Sequence, residues 1–378
     1  MKKFVAVMNI PSPYRLHLLG EMARQLRERG VEFHCHFMNR GHKDRPTSWL
    51  NPKIDFPHTY WTNIGPDQHE FNPGLVARLM FSRPDWLLLG GVFDTFTNIA
   101  LALLSPAKAK ICWLEGNTKT PGRLDGALGR FKRALMGRCR FAAVPSSDAA
   151  KYIGLHQQRT KRPMPKPVYL PNLVDETKFQ GLKVSEVSEV SEVSGVTKFR
   201  GVRVCIIPAR LEPVKGLVPF FELLTPEMLK GWEIVLMGQG PLKSEIEAVI
   251  AKRGISAFVQ IVDYVPYEEM PRHYAAADLL LLPSIYDPNP LSVIEALHSG
   301  LAVAVSDQAG NVEEGVTEGR NGWVLPVKDK AAFEAKLREV FATPIKRLRE
   351  MGRVSKTENA RFWETKAAIG RFLDGVGC

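Results

Sequence analysis

The sequence predicts an α/β protein of two domains, each built around a parallel β-sheet. Its 378 residues exceed the usual size of one domain and suit two. From end to end, short apolar runs alternate with stretches of helical periodicity, which is typical of successive βαβ units. This alternation restarts after residue 200. We therefore expect one domain over residues 1–170 and a second over residues 201–355.

The predicted strands are the short apolar runs, and the predicted helices are the amphipathic or capped stretches between them. In the first domain, the strands cover residues 4–8, 31–37, 86–89, 111–114, 141–144 and 168–170, and the helices cover 14–29, 72–81, 95–104 and 124–137. In the second domain, the strands cover 202–207, 233–237, 258–262, 279–282 and 302–305, and the helices cover 217–224, 242–252, 268–277 and 291–299. Strands that alternate with helices in this way pair in parallel.

Residues 171–200 are predicted to link the two domains. They contain three consecutive Ser-Glu-Val repeats from Ser185, and a period of three matches neither a strand nor a helix. Because this insert is polar and charged, we expect it to be solvated and poorly ordered. Residues 356–378 carry apolar side chains at near-helical spacing, which predicts a helix that packs back onto a domain.

The positive charge of the chain is concentrated in the first domain. Residues 1–170 contain 26 Lys and Arg against 12 Asp and Glu, whereas the remainder contains 25 against 28. This asymmetry predicts an anionic ligand or surface for the first domain. An anionic membrane and a phosphorylated acceptor both fit. No nucleic-acid-binding motif accompanies the charge, so nucleic acid is not a predicted partner.

Several features of the sequence predict a cytoplasmic protein. No run approaches the ~18 apolar residues that a membrane span needs. The apolar start is interrupted by Asn9 and Pro11, which favours a first strand over a signal peptide. Five scattered cysteines without a C-x-x-C pair predict reduced thiols. His34 and His36 share one face of a strand, but without a third ligand beside them we expect ordinary strand residues and no metal site.

Two cations follow the first strand of the second domain. Arg210 and Lys215 come after the strand that ends at Pro208, just before a helix begins. Ligands of open α/β sheets bind at the carboxyl edge of the strands, and cations beside a helix N-terminus suit a diphosphate. Two exposed charges on a loop would give the same sequence.

A Gly-x-Gly turn follows the next strand, at Gly238 and Gly240. The third glycine of a dinucleotide fingerprint is absent, because Lys243 occupies its place and Pro241 opens the helix. The pattern therefore argues against a nicotinamide enzyme. It indicates that the backbone at Gly238 approaches a ligand closely.

A tight loop between a buried strand and a helix carries most of the remaining polar candidates. Free N–H groups at the helix start are suited to cradle phosphate oxygens, and the residues at that start are Asn289, Pro290, Leu291 and Ser292. Glu295, about one turn into the helix, is predicted to point back toward a ribose. Asp287 stands at the loop mouth, within reach of a sugar hydroxyl. The structural alternatives are that Asp287 caps the turn and that Glu295 faces solvent.

Together these motifs resemble one family. Residues 202–326 are similar to the glycogen-synthase-like (family 4) retaining glycosyltransferases of the GT-B fold. The similar elements are Arg-x4-Lys-Gly from Arg210, the Gly-x-Gly-Pro turn from Gly238, Ala277-Asp278 before an apolar strand, the carboxylate-x7-Glu signature from Asp287 to Glu295, and the turns Gly310-Asn311 and Asn321-Gly322. The first domain resembles the family more loosely, through the order of its elements.

The resemblance implies two Rossmann-like domains with parallel sheets that face each other across a cleft, with the acceptor site in the first and the donor site in the second. Arg210 and Lys215 would neutralise the leaving diphosphate. Glu295 would bind the ribose, and Asp287 would contact the sugar ring. Neither a metal ion nor a cofactor would be needed, because Arg and Lys supply the charge stabilisation. The donor would be a UDP- or GDP-sugar.

Four departures from the family pattern bear on this site. Asp287 replaces the usual first Glu of the signature, and Pro-Asn-Pro-Leu from residue 288 replaces Gly-Phe-Gly-Leu. The glycine-rich loop near the N-terminus is missing, so Arg15, at a helix start, is predicted to make a diphosphate contact instead. Glu115 occupies the place of an acceptor-side His. A contact with the acceptor or donor ring and a structural role both stay open for Glu115.

The expected activity is retaining, metal-independent transfer of a hexose to a saccharide or lipid-linked saccharide, as in cell-surface glycan synthesis. Two alternatives stay open, a nucleotide-sugar epimerase of the same fold and a non-catalytic sugar-nucleotide-binding protein.

A peripheral position at the inner face of the membrane is also predicted. The cations and apolar residues that interleave in one segment are Arg123, Leu124, Leu128, Arg130, Phe131, Lys132, Arg133, Leu135, Arg138 and Arg140. A solvated helix face over the core would produce the same pattern.

Overall fold

A computed structural model of the chain describes residues 1–41, 52–66, 69–91, 93–120, 124–180 and 202–378. The Ser-Glu-Val insert and Arg123 lie outside the described residues. The chain divides into two compact units. The first comprises Met1–Val174 together with Trp363–Cys378, and the second comprises Asp175–Phe362.

The first unit contains one parallel sheet. Its described strands are β1 (Lys2–Met8), β2 (Val31–Phe37), β3 (His58–Tyr60), β4 (Trp86–Gly90), β5 (Ala109–Trp113), β6 (Phe141–Val144) and β7 (Lys166–Tyr169). They lie in the order β3-β2-β1-β4-β5-β6-β7, and every pairing is parallel. The central strands are almost wholly buried, as expected for a sheet covered on both faces.

The second unit repeats the same plan. Its described strands are β8 (Arg203–Pro208), β9 (Trp232–Met237), β10 (Val259–Val262), β11 (Leu279–Leu282), β12 (Ala302–Ser306) and β13 (Gly322–Leu325). They lie in the order β10-β9-β8-β11-β12-β13 and again pair in parallel. The two central strands, β8 and β11, are neighbours in this sheet, although about 70 residues of chain separate them.

Helices connect the strands of both units. In chain order, the described helices are α1 (Pro13–Glu28), α2 (Pro73–Phe81), α3 (Phe96–Leu104), α4 (Gly126–Met136), α5 (Ser147–Gln157), α6 (Glu176–Gln180), α7 (Leu217–Leu223), α8 (Lys243–Lys252), α9 (Met270–Ala276), α10 (Leu291–Ser299), α11 (Val312–Gly315), α12 (Lys330–Ala342), α13 (Ile345–Thr357) and α14 (Thr365–Gly375). Each unit has its own apolar core between its sheet and its helices. No described helix has both the length and the apolar composition needed to span a bilayer.

The predicted α/β class with parallel sheets is confirmed. The sequence pattern missed two edge strands, β3 and β13, because β3 (His-Thr-Tyr) has no apolar run and β13 begins at Gly322, which the sequence analysis placed in a turn. The tail, predicted to be helical, contains a 3-10 turn at Asn359–Trp363 followed by α14, which packs within the first unit against α1 and β7.

Candidate functional site

The second unit places two polar loops side by side at the carboxyl edge of its sheet. Strand β8 sits at the point where the strand order reverses, with β9 on one side and β11 on the other. In open α/β sheets, ligands bind outside the carboxyl ends of the strands at this switch point. The loops that follow β8 and β11 carry Lys215 and Asp287, so the two predicted site residues come from adjacent strands.

Lys215 and Asp287 form an ion pair between these loops. The Lys215 Nζ lies 2.5 Å from the Asp287 Oδ2, and the two side chains are only 16% and 10% exposed. A charge-assisted hydrogen bond of this kind is among the strong ones, and partial burial protects it from screening by salt. The pair therefore brings a positive and a negative charge together at the switch point.

The backbone locks the same two loops together. The Val214 carbonyl accepts hydrogen bonds from the N–H groups of Ile285 and Tyr286, at 2.9 and 3.2 Å. Gly216 has a φ of +65°, and a Cβ built there would lie 2.3 Å from the Pro283 carbonyl oxygen. Glycine is thus required at this position both for its conformation and for the close approach.

Arg210 belongs to the same loop but points elsewhere. Its side chain is 68% exposed and its Nη1 donates to the Glu212 carboxylate at 2.5 Å. The structure therefore brings Lys215 to Asp287 and leaves Arg210 at the surface. The diphosphate contact predicted for Arg210 stays a prediction.

The Gly-x-Gly turn after β9 is explained by packing against the β8 loop. A Cβ at Gly238 would lie 2.0 Å from the Ala209 carbonyl oxygen, and one at Gly240 would lie 2.4 Å from that of Leu211. Both glycines thus allow two backbone segments of this unit to touch. The ligand contact predicted for Gly238 stays a prediction.

The turn after β12 fixes the backbone of the β11 loop. The Gly310 N–H donates to the Asp287 carbonyl at 2.9 Å, and the Asn311 side-chain amide donates to the Pro290 carbonyl at 3.0 Å. The backbone of Asp287 therefore cannot move without breaking its hydrogen bond to Gly310. The sequence analysis found this turn similar to that of the family, but the sequence gives no sign that the turn holds the backbone of Asp287.

Asn289 is a buried amide without a partner. Its side chain is only 8% exposed, and neither its oxygen nor its nitrogen has a hydrogen-bond partner within the described chain. Leaving a buried amide unsatisfied costs about 1 to 3 kcal/mol, so such a group calls for an explanation. A bound ligand would supply the missing partner. The α10 N–H groups that follow, beginning at Leu291 and Ser292, have no intrahelical partner of their own.

Glu295 is buried on α10 rather than facing solvent, so that structural alternative is wrong. The residue is 7% exposed, and its carboxylate accepts a hydrogen bond of 2.6 Å from the Tyr274 hydroxyl on α9. Burial raises the pKa of Glu295 to about 7, and the hydrogen bond from Tyr274 opposes only part of that rise. The carboxyl group therefore changes charge near neutral pH.

This raised pKa predicts a pH-dependent difference in stability between the protein and its Glu295→Gln variant. An acid whose pKa is higher in the folded state binds more protons there than in the unfolded state, so its contribution to stability falls as pH rises from 4.5 to about 7. Glutamine lacks that titration. The free energy of unfolding of Glu295→Gln, relative to the unsubstituted protein, should therefore rise by about 3 kcal/mol across this window.

Chemical denaturation at pH 4.5 and pH 7.5 measures this difference. The control is Glu245→Gln, which changes an exposed carboxylate on α8. We expect its stability relative to the unsubstituted protein to be the same at both pH values. A Glu295→Gln difference that is also independent of pH would show that Glu295 is not buried as an acid with a raised pKa.

Two further predicted site residues lie in the first unit and meet each other. Arg15, on the first turn of α1, donates to the Glu115 carboxylate just beyond β5. The Arg15 guanidinium also lies 3.7 Å from the centre of the Trp113 ring, a cation–π contact. Its side chain is 13% exposed, whereas that of Glu115 is 45% exposed. Arg15 is therefore held in place, and Glu115 presents its carboxylate at the carboxyl edge of the first sheet.

The structure gives His34 and His36 ordinary strand surroundings. Their rings lie 4.6 Å apart on one face of β2. His34 bonds to the Thr59 hydroxyl at 2.9 Å, and His36 accepts from the Trp61 indole at 3.1 Å. Among the described residues, no group of three His, Cys, Asp or Glu side chains is placed to hold a metal ion.

Comparison with known proteins bears on both units. Residues 194–357 match the family model of the glycosyl transferases group 1. Over these residues the second unit is similar to the group 1 glycosyl transferases. This match agrees with the family resemblance of the switch-point motifs, which is thereby confirmed.

Two curated relatives illustrate the range of these glycosyl transferases. The amylovoran biosynthesis glycosyltransferase AmsK of Erwinia amylovora is 31% identical over 135 residues, which are 34% of this chain and 33% of that protein. The GDP-mannose-dependent alpha-(1-6)-phosphatidylinositol monomannoside mannosyltransferase of Mycolicibacterium smegmatis is 28% identical over 185 residues, or 46% and 47% of the two chains. The matched part of the chain thus spans about a third to a half of the length of these two relatives.

Solved structures cover the whole chain at low identity. HepE of Anabaena, crystallised with UDP and glucose, has a TM-score of 0.73 and 16% identity over 100% of both chains. Sucrose-phosphate synthase of Thermosynechococcus elongatus has a TM-score of 0.72 and 13% identity over 98% of this chain and 97% of that one. These likenesses establish the GT-B fold for the chain.

Proposed function

We propose that this protein is a glycosyltransferase that moves a hexose from a nucleotide-diphosphate sugar to a hydroxyl acceptor. The observation that carries the proposal is the Lys215–Asp287 pair at the switch point of the group 1 unit. A sugar diphosphate has a leaving group that becomes more negative and a sugar that becomes more positive as its bond breaks. A cation and an anion held side by side match that separation of charge.

The roles of the site residues follow from this polarity. As the bond between the sugar carbon and the diphosphate oxygen breaks, the Lys215 ammonium stabilises the charge on the leaving diphosphate. Arg210, whose side chain is 68% exposed, turns from Glu212 to the same group when the donor binds. Asp287 stabilises the positive charge on the sugar ring. Glu295 binds the ribose, and the unpartnered amide of Asn289 bonds to the donor.

The proposed transfer retains configuration and requires no metal ion. The acceptor oxygen attacks the sugar carbon from the face that the diphosphate leaves, and the leaving phosphate oxygen takes the acceptor's proton. Two basic side chains at the diphosphate supply the stabilisation that a divalent ion gives elsewhere. No cofactor besides the nucleotide sugar takes part.

The substrate classes are proposed from the relatives and from the first unit. HepE was crystallised with UDP and glucose, and the mannosyltransferase is named as GDP-mannose-dependent, which supports a UDP- or GDP-sugar donor. AmsK is named for amylovoran biosynthesis, which supports a saccharide or lipid-linked saccharide acceptor. Glu115 is proposed to contact the acceptor, with Arg15 holding its carboxylate in position.

A donor panel tests the proposed function. Thermal unfolding is followed with UDP-, GDP- and ADP-sugars, because binding to the folded state raises its stability with the logarithm of ligand concentration over Kd. The stabilising donor is then incubated alone and with saccharide acceptors. A transferase leaves the sugar unchanged or hydrolyses it slowly without acceptor, whereas an epimerase converts it. Binding without either reaction would support a non-catalytic sugar-nucleotide-binding protein and contradict the proposal.

We also propose that the protein works in the cytoplasm at an anionic membrane, through α4 of the first unit. Leu128 and Phe131 are 50% and 44% exposed on this helix, whereas Leu135 is buried. Arg130 lies between these two residues in sequence, and Lys132 follows Phe131. Two apolar side chains beside cations are suited to an anionic bilayer surface, to which each nearby cation adds about 1 kcal/mol of attraction.

The double variant Leu128→Ser, Phe131→Ser should therefore lose binding to vesicles that contain phosphatidylglycerol. The matched control is Ile64→Ser, which removes another exposed apolar side chain of the first unit. The unsubstituted protein should sediment with anionic vesicles at low salt and be released at high salt. Equal partitioning onto neutral and anionic vesicles at low salt would contradict this proposal.

A further inference from the structure

The first unit contains a cavity of about 700 Å³ on one face of its sheet. Its floor is formed by paired residues of β1 and β2, where Lys3 lies opposite Glu32 and Val5 lies opposite His34. Its wall is formed by the end of α2 and the following loop, residues 78–84. All the lining residues belong to this one unit and are described.

The cavity extends along β1 and β2 from the amino edge of the sheet and reaches His36, the sixth of the seven residues of β2. Lys3 and Glu32 are each the second residue of their strand, and Pro84 precedes the first residue of β4. These positions mark the amino edge of the sheet. Glu115, in contrast, follows the end of β5. Neither Arg15 nor Glu115 lines the cavity, so the cavity is separate from the acceptor position proposed above.

Among the described residues, no carboxylate pairs with two of the cations that line the cavity. Arg78 and Arg83 line it, and within the described chain neither has a hydrogen-bond or ion-pair partner. Lys3 is the third cation, and it pairs with Glu32 at 3.5 Å. Two guanidinium groups that line the cavity thus have no ion-pair partner among the described residues. Guanidinium groups match the geometry of phosphate oxygens and bind them with two parallel hydrogen bonds.

The two imidazoles on the floor are neutral, and one of them has a defined tautomer. Burial lowers the pKa of His36 to about 3 and also lowers that of His34, and the nearby charge of Arg78 acts in the same direction. Because the Trp61 indole can only donate, the Nδ1 of His36 accepts its hydrogen bond. The proton of neutral His36 therefore resides on Nε2.

We propose that this cavity binds a phosphate group, held by Arg78 and Arg83 at its opening. Val5 and Leu79 give the remaining wall an apolar character, and Phe81, which is 89% exposed, extends that character outward. The ligand is therefore a phosphate ester whose organic portion lies against this wall. Either a soluble phosphorylated molecule or the headgroup of an anionic lipid has this chemistry. The proposal is independent of the transferase activity.

The test measures binding of two phosphate-bearing probes to the full chain. The soluble probe is glycerol phosphate, and the membrane probe is a phosphatidylglycerol vesicle compared with one of phosphatidylcholine. The readout is the NMR signal of ¹⁵N-labelled histidine side chains, since His36 and His34 line the cavity. We expect either probe to shift these signals. In the double variant Arg78→Gln, Arg83→Gln, the Kd for each probe should rise about ten- to a hundredfold.

The matched control is Arg27→Gln, which removes an exposed arginine of the same unit that does not line the cavity. We expect it to bind both probes as the unsubstituted protein does. Binding of glycerol phosphate indicates a soluble ligand. Arginine-dependent binding to phosphatidylglycerol alone indicates a lipid headgroup. If neither probe shifts the histidine signals, or if binding is unchanged in the double variant, the proposal is wrong.

Discussion

Replacing Lys215 with alanine is expected to lower kcat about 10²- to 10³-fold. This is the usual effect of removing one preorganised group that stabilises charge in a transition state, about 2.7 to 4 kcal/mol. Lys215 is held within 2.5 Å of Asp287, so it needs no rearrangement to meet the leaving diphosphate. Arg210, exposed and bonded to Glu212, must move first, and we expect its loss to cost less.

Steady-state kinetics of transfer, with a melting curve for each variant, measures this effect. The control is Lys346→Ala, which removes an exposed lysine from α13 and should leave kcat unchanged. Because removing one member of a partly buried pair destabilises a protein, Lys215→Arg serves as a second variant that keeps the charge. We expect it to fold normally and retain part of the activity. A folded Lys215→Ala enzyme with near-normal kcat would exclude Lys215 from the site.

Lengthening Asp287 to glutamate is expected to lower kcat about 10²-fold, even though glutamate is the usual residue of the family. The Asp287 backbone is fixed by the Gly310 N–H, and its carboxylate is fixed by Lys215. An extra methylene therefore displaces the carboxylate rather than the chain. A displacement of about 1 Å at a reacting centre can cost about 10²-fold in rate.

Asp287→Asn is the companion variant. It keeps the length of the side chain and removes its charge, so kcat should fall while the Kd for the donor changes little. Rates at saturating donor, together with donor Kd values, separate the two effects. Higher activity in Asp287→Glu would show that the loop still suits glutamate and would contradict this account of the departure from the family pattern.

The sequence predicted the place of the candidate site better than its contacts. Residues that follow parallel strands must lie at one edge of the sheet, so the loops of Lys215 and Asp287 could be placed there from the pattern alone. The pattern could not show that the two side chains pair. That contact depends on the left-handed turn at Gly216 and on the hydrogen bonds of Val214, which set the direction of each loop.

The sequence-based prediction for Glu295 had the same limit. Its position one turn into α10 was predictable, but its burial was not, because the covering residue Tyr274 lies 21 positions earlier on another helix. Asn289 was predicted only as part of a helix start. That its amide is buried without a partner is a property of packing, which no local pattern encodes.

The most direct test of the proposed retaining, metal-free transfer is the anomeric configuration of the sugar in the product, followed by NMR during turnover in excess EDTA. We expect turnover to continue and the transferred sugar to keep the configuration it had in the donor. A product of inverted configuration, or activity that stops in EDTA and returns with Mn²⁺, would contradict the proposed roles of Lys215 and Asp287.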